Sequence, residues 1–466
     1  MTGLSRGRFA GLPLRQPSMA CTAVESRLSV SERRAPYRLG ETGPRCRSNL
    51  GLAVILSLLL ARVATVSEPV SAASASSVTL TAMVVATNDT QAKAYLAAFA
   101  KYEQAHPGIQ IKATTVSDPF TWQNKVLALT AAGTPPDIMW LWGINFRNLA
   151  GQGLLLPIDR YVDSQFLQAY YPNAVQASRY EGKLYALPGL MGCLAILENL
   201  DQFDERGVLP LAQNDTWDTF LTKAKKLTMD SNGDGTPERY GFVWYALTVR
   251  DWMTWVWRNG GDLLDASRTH FLLGKQPAAE ALQFLADLSN RYKVTPPGSV
   301  LTGMPWTYFE NEQAAMYPTG PWDLLVPRKF HFDVGPYPIR KNQAVALDVF
   351  YMAVHSQTRH PDQAVDVARW VTHTFEGEGA LFSSGFGIPT IREYALSYFV
   401  NPKTPWHEEV FLMPLEAGEA RMLPYVDRWN DLETLLRNAY TDVWQGKDSA
   451  QHLAEVLTPK VEALLK

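Results

Sequence analysis

Cysteine, basic excess, long apolar runs and catalytic motifs are all scarce or missing. The 466 residues include three cysteines. Cys21 and Cys46 fall in a leader-like region, which leaves Cys193 alone in the rest of the chain, so no internal disulfide can form there. Cys193 sits in Gly192-Cys193-Leu194-Ala195-Ile196, whose apolar character points to a buried structural thiol and not to a nucleophile. With 43 Lys+Arg against 46 Asp+Glu and a formal net charge of -3, the chain lacks the basic signature of a nucleic-acid binder. His-Glu-x-x-His, Gly-x-Ser-x-Gly and Cys-x-x-Cys are absent, and Gly446-Lys447 is followed by Asp448, so there is no phosphate loop. Nothing points to an enzyme or to a cofactor.

The N-terminus carries a different message. Arg45 and Arg47 precede an apolar run at 50–60 that is broken at Arg62 and is shorter than the roughly 20 residues a spanning helix needs. Val70-Ser71-Ala72 or Ala73-Ser74-Ala75 then supplies a small-x-small cleavage pattern. Residues 1–75 read as a leader, an export signal with an upstream extension that is either an unusually long leader or the product of a start assigned too far upstream. No cysteine follows the apolar run to take a lipid, so a freely soluble periplasmic protein is expected. A monomer is expected as well.

What remains is long enough for two lobes with real cores. Residues 78–86 and 109–116 read as strands, with a helix between them whose Tyr95, Phe99 and Tyr102 recur at helical spacing and which must stop before Pro107. A second helix at 121–131 leads to a third strand at 138–142. This β-α-β-α-β order predicts a parallel sheet with ligands at the carboxyl ends of its strands, here Thr87-Asn88-Asp89 and 140–145. Helices are expected at 217–228, 277–291 and 361–374, strands at 242–245, 314–316 and 345–354, and two helices in 432–465 separated near Gly446. Asp230-Ser231-Asn232-Gly233-Asp234-Gly235 copies the first half of a calcium loop, through Asp230, Asn232 and Asp234, but the twelfth position is Gly241 where a bidentate Glu is needed. A plain polar turn is the alternative. The 14 Trp and 19 Tyr serve either as core or as platforms for flat ligands.

One series of landmarks goes further. Gly133-Thr134-Pro135-Pro136-Asp137-Ile138 is followed by Trp140 and Trp142, by Gly153 through Asp159, by Glu181 through Pro188, by Asn259-Gly260-Gly261, Gly320-Pro321-Trp322 and Gly387-Ile388-Pro389, and by Trp444-Gln445-Gly446-Lys447. In this order, and over nearly the whole chain after residue 78, it resembles the extracellular solute-binding proteins of the carbohydrate ABC-importer class, the maltose-binding-protein-like family. The resemblance implies an α/β, two-lobed periplasmic-binding-protein fold of type II with a three-crossing hinge. It assigns 77–188 with 347–374 to lobe I and 192–343 with 377–466 to lobe II.

It also implies a sugar or oligosaccharide captured between the lobes by hinge closure and passed to permease subunits in the membrane. The sugar-contacting positions it implies are Asn88, Asp89, Trp140 or Trp142 with Asn145, Trp322 and Asp323, and Trp429 with Asn430, with Trp252 and Trp255 as further candidates. Alternation along the strand is expected to turn one of Trp140 and Trp142 into the core, and Asn88 or Asp89 can equally cap the following helix. Where maltose-binding members carry acidic residues, this chain has Gly143-Ile144-Asn145 and Leu190-Met191-Gly192, which fits another oligosaccharide or sugar derivative. Two other readings stay open: a binder of the same fold for a glycerol phosphodiester, with Arg250, Arg258 and Arg428 near the aromatics, and a secreted carbohydrate-active enzyme.

Overall fold

The structure, a computed structural model, describes residues 77–466, the side chains of Pro119 and Phe120 excepted. The expected leader lies outside the described residues. β1 (Val78–Val85) leads into α1 (Asp89–Ala105), whose start is fixed by Asn88, the side chain of which accepts a hydrogen bond from the Gln91 amide. One face of α1, carrying Ala94, Tyr95, Ala98, Phe99 and Tyr102, is buried, as its spacing predicts. β2 (Ile109–Val116), α2 (Pro119–Ala131), β3 (Ile138–Trp142) and α3 (Gly143–Gly151) follow. β1 pairs in parallel with both β2 and β3, the arrangement the alternating pattern requires.

β4 (Ala186–Cys193) joins the same sheet, and the next strand, β5 (Ala195–Asn199), belongs to a second one. α4 (Val249–Arg258) is buried almost along its whole length. β6 (Met316–Thr319) and β7 (Phe332–Gly335) flank β5 in a three-stranded antiparallel sheet. The chain then returns through β8 (Val345–Val354), which lies antiparallel between β3 and β4 in the seven-stranded sheet. α5 (Pro361–His373), α6 (Phe375–Phe382), β9 (Ile388–Pro389) and β10 (Ala420–Arg421) precede the terminal helices α7 (Trp429–Trp444) and α8 (Ala450–Leu464).

Alternation along β1 and β3 separates two cores. Leu80, Ala82, Val84, Ile138 and Trp140 face α1 and α5, while Met83, Val85, Met139 and Leu141 pack into the larger cluster on the other side. The strand expected at 242–245 does not form. Phe242 and Val243 are fully buried, but their amides reach Val294 O at 3.0 Å and Met316 O at 2.9 Å one at a time and build no ladder. α6 packs on α1 and α5, and β9 pairs with β4, so residues 377–389 lie with the seven-stranded sheet, whereas the resemblance implied that 377–466 belong to the other lobe. Among the described residues no helix is long and apolar enough to cross a membrane.

Glu378 locks this return. Its buried Oε1 accepts from the Thr390 amide at 2.5 Å, the Thr390 hydroxyl at 2.8 Å and the Ile391 amide at 3.2 Å. Burial nonetheless pushes its pKa from 4.5 up to about 8. The folded protein therefore holds this proton more tightly than the unfolded chain does. The resulting stability is complete below about pH 4.5 and is lost as pH rises through 8. Urea unfolding at pH 5 and pH 8 should show Glu378→Gln losing about 3–4 kcal/mol less over that interval than the wild type. Glu198, raised by burial in the same way to about 8, keeps its own share of the loss in both proteins.

Candidate functional site

The carboxyl ends of β1 and β3 open onto a cavity of 420 Å³. Because β8 runs antiparallel to β3, its amino-terminal half reaches the same edge, and Phe350 pairs directly with Trp142. Four rings make a connected wall. Trp142 meets Phe350 edge-on at 5.6 Å and stacks on Phe386 at 6.1 Å, and Trp322 joins through Phe386 at 6.2 Å. Trp429 and Tyr425, 4.7 Å apart and edge to face, contribute further lining.

Trp322 owes its place to glycine. It follows β6 in a single 3-10 turn, Pro321–Asp323, and its ring lies against Gly320 and Gly192, where an added Cβ would come within 2.3 Å and 2.8 Å of ring carbons. Trp140 uses β4 in the same way, its ring 2.4 Å from the place where Gly189 would carry a Cβ. Gly192→Ala should push the Trp322 indole into the cavity and weaken ligand binding about tenfold, a titration result to set beside an unchanged circular-dichroism spectrum.

The polar groups are already balanced. Arg250, at the start of α4, places Nη1 2.9 Å from Asp348 Oδ2 and Nη2 3.0 Å from Asp251 Oδ1, with its guanidinium 5.2 Å from the Trp322 ring centre. Burial works against its charge, but the two carboxylates outweigh that and hold it protonated. Asp251 is 3 % exposed and accepts from the Thr248 hydroxyl; its pKa is raised by burial, against the pull of Arg250. Glu433 accepts from Trp429 Nε1 at 3.0 Å and from the Val249 amide at 3.1 Å, tying α7 to α4. Thr87 is fixed at the cavity edge by Gln91, whose Oε1 accepts from its amide at 2.7 Å and from its hydroxyl at 3.0 Å.

Of the residues singled out in the sequence, Trp142, Trp322 and Trp429 line this cavity. The others do not. Asn88 is an exposed helix cap, and Asp89 is an exposed first-turn residue. Trp140 is fully buried against Tyr95. It shares a strand face with Trp142, since residues two apart point the same way; depth separates them, Trp140 lying mid-strand and Trp142 at the strand end. Asn145 is buried and donates to Gln123 Oε1 at 2.7 Å. Trp252 packs on Tyr440, and Trp255 sits among Trp217, Phe220, Phe242 and Tyr337. Asp323 accepts from the Thr319 hydroxyl at 2.6 Å and is not part of the lining. Asn430 is exposed on α7.

Arg258 and Arg428 are also used elsewhere. Arg258 donates to the carbonyls of Tyr337, Pro338, Gln343 and Ala344, and Arg428 pairs with Asp431 at the surface. The sequence reading missed Asp348, Phe350, Phe386, Tyr425 and Glu433. Asp348 had a signal, because it is the one charge in the apolar strand Val345–Val354.

The calcium-like loop satisfies itself. Asp230 accepts from the Gly233 and Gly235 amides at 2.7 Å and 2.9 Å, Asn232 from the Asp234 amide at 2.8 Å, and Asp234 from the Thr236 amide at 2.7 Å. This is the geometry of a polar turn.

A family model described as bacterial extracellular solute-binding protein matches residues 86–374. A binding protein of Brucella abortus (strain 2308) is 21% identical over 392 residues, covering 78% of this chain and 88% of its own length. An ABC substrate-binding protein from Listeria monocytogenes, solved in complex with cycloalternan, superposes with a TM-score of 0.73 at 21% identity, covering 83% of this chain and 99% of that one. The cyclic alpha-maltosyl-1,6-maltose binding protein from Arthrobacter globiformis superposes with a TM-score of 0.70 at 21% identity, covering 84% of this chain and 99% of that one.

Proposed function

Because the chain belongs to the bacterial extracellular solute-binding proteins and has their two-lobed α/β fold, we propose that it is the exported substrate-binding subunit of a sugar ABC importer, taking a saccharide into the cavity beside Trp142, Trp322 and Trp429. The observation that carries this reading is the pairing of a wall of rings with a charge-balanced polar set. Sugar rings present apolar C–H faces that stack on indoles, and their hydroxyls need groups that donate and accept. Arg250 donates, Asp348 and Glu433 accept, and the two carboxylates around Arg250 leave no excess positive charge for a phosphodiester in this chamber.

Residues 77–193 with 345–391 would form one lobe, and most of the rest the other. A ligand that touches both Phe350 and Trp322 favours the closed arrangement by its differential affinity alone. A micromolar dissociation constant corresponds to about 8 kcal/mol, within reach of a few stacked rings and satisfied hydrogen bonds. Release to permease subunits then requires only that the membrane complex favour the open form. The family is one of binding proteins, and no covalent step is needed for this role.

A thermal-shift screen of mono- and oligosaccharides tests the proposal. A true ligand at 100 times its dissociation constant should stabilise the protein by about 2.7 kcal/mol, and its binding should reduce the radius of gyration in X-ray scattering. Absence of any sugar response across the screen, or turnover of a bound glycoside, would sink it.

A further inference from the structure

A second chamber, of 480 Å³, opens beside the first and shares Gly143, Leu423 and Tyr425 with it. Its character is different. Three guanidinium groups, Arg147, Arg179 and Arg268, face it with Glu181 as the one carboxylate in the lining. Arg179 is already engaged, donating to Gly182 O at 3.0 Å and lying 3.4 Å from Asp159. Arg147, on α3, rests on the Tyr180 ring and, among the described residues, has one distant counter-ion, Asp427, at 3.5 Å from its Nε. Arg268 comes from the other half of the molecule, and its side chain has no hydrogen bond or ion pair among the described residues.

The loop carrying Arg268 is built to present it. The Asp265 carboxylate accepts from the amides of Thr269 at 2.8 Å and His270 at 3.0 Å and from the Ser267 hydroxyl, and Leu264 bridges Phe271. At the tip, Arg268 has a φ of 58°, the left-handed region that costs a non-glycine residue energy. Burial, and then the charge of Arg147, push its pKa down, against Asp427. Two cations from the two halves of the molecule thus face one chamber whose lining carries a single carboxylate, Glu181.

We propose that this second chamber binds an anionic group, a carboxylate or phosphate carried on the saccharide held in the first, clamped between Arg147 and Arg268. The inference rests on the sugar reading of the first chamber and names the ligand class more narrowly: an acidic saccharide, with an anion that bridges the two halves and replaces their repulsion by charge-assisted hydrogen bonds.

The test uses the full exported chain at fixed ionic strength, with inorganic phosphate, glucuronate, glycerol 3-phosphate and glucose as probes, and Arg268→Asn as the variant, since Asn tolerates the left-handed backbone. Without an anion, Arg268→Asn should melt no lower than the wild type, because a repulsion is removed. With phosphate or glucuronate the order should reverse, the wild type binding about tenfold more tightly than the variant. Equal responses of the two proteins to both anions overturn the clamp, as does a variant that melts lower in the absence of anions and responds to them undiminished. Glucuronate preferred over glycerol 3-phosphate assigns the anion to an acidic sugar, and the reverse preference sinks the acidic-saccharide assignment. Trp322→Ala reads the first chamber separately: it should abolish the glucuronate advantage over free phosphate and leave the phosphate response intact. A protein that answers to phosphate but to no sugar keeps the clamp and loses the sugar reading. One that answers to glucose but to neither anion does the opposite.

Discussion

Trp322→Ala should weaken binding of the best sugar from the screen about 100-fold in calorimetric titration, while the melting temperature of the free protein moves little. Truncating a ligand-stacked indole at the centre of a closed site removes on the order of 2–3 kcal/mol, and each 1.4 kcal/mol is tenfold. The folded state loses less, because Trp322 is only half-buried and one side of its ring lies against Gly192 and Gly320. Its stacking with Arg250, worth about 1 kcal/mol where partly exposed, is the main structural term. Trp255→Ala is the contrast. That ring is fully buried among Trp217, Phe220 and Phe242, so its loss should cost about 3–5 kcal/mol of stability. Wild-type affinity in Trp322→Ala would remove the ring from the site.

The contrast between these two tryptophans shows what the sequence could and could not say. The first half of the seven-stranded sheet was legible because period-2 and period-3.6 patterns alternate cleanly there, and β2 and β3 fall at the residues expected. The segment at 242–245 was misread because an unbroken apolar run reports burial, and burial alone does not make a ladder. The site was harder, since a side chain reaches the cleft according to where its element ends. Trp142 and Trp322 stand at strand ends, whereas Trp252 and Trp255 lie in a helix buried on nearly every side. The loop after β1 offered Thr87, Asn88 and Asp89, and the helix start took Asn88 for its cap, leaving Thr87 for the cavity. Arg147 and Arg268 are 121 positions apart, and no local pattern in the sequence announces that they line one chamber.

Gly241→Ala should be the most destabilising single methyl in the chain's second half, at about 3 kcal/mol, read as a lower urea midpoint with an unchanged slope. A Cβ at Gly241 would lie 2.0 Å from the carbonyl oxygen of Ala224 and 2.6 Å from its Cα, and these are backbone atoms of the helix Trp217–Leu227 that cannot swing aside as a side chain would. The Gly241 amide also donates to the Thr228 hydroxyl at 3.0 Å, so backing away breaks a hydrogen bond that closes the same helix end. This position is the twelfth of the calcium-like pattern. Steric exclusion by Ala224 explains the missing glutamate: the loop that begins at Asp230 is pressed too closely onto the helix for any side chain at Gly241. Calcium and chelator should therefore leave the melting temperature unchanged in the wild type, and Gly241→Glu, instead of completing an ion site, should unfold at least as readily as Gly241→Ala. A rise in stability of Gly241→Glu with added calcium would show that the helix end yields where its packing says it cannot.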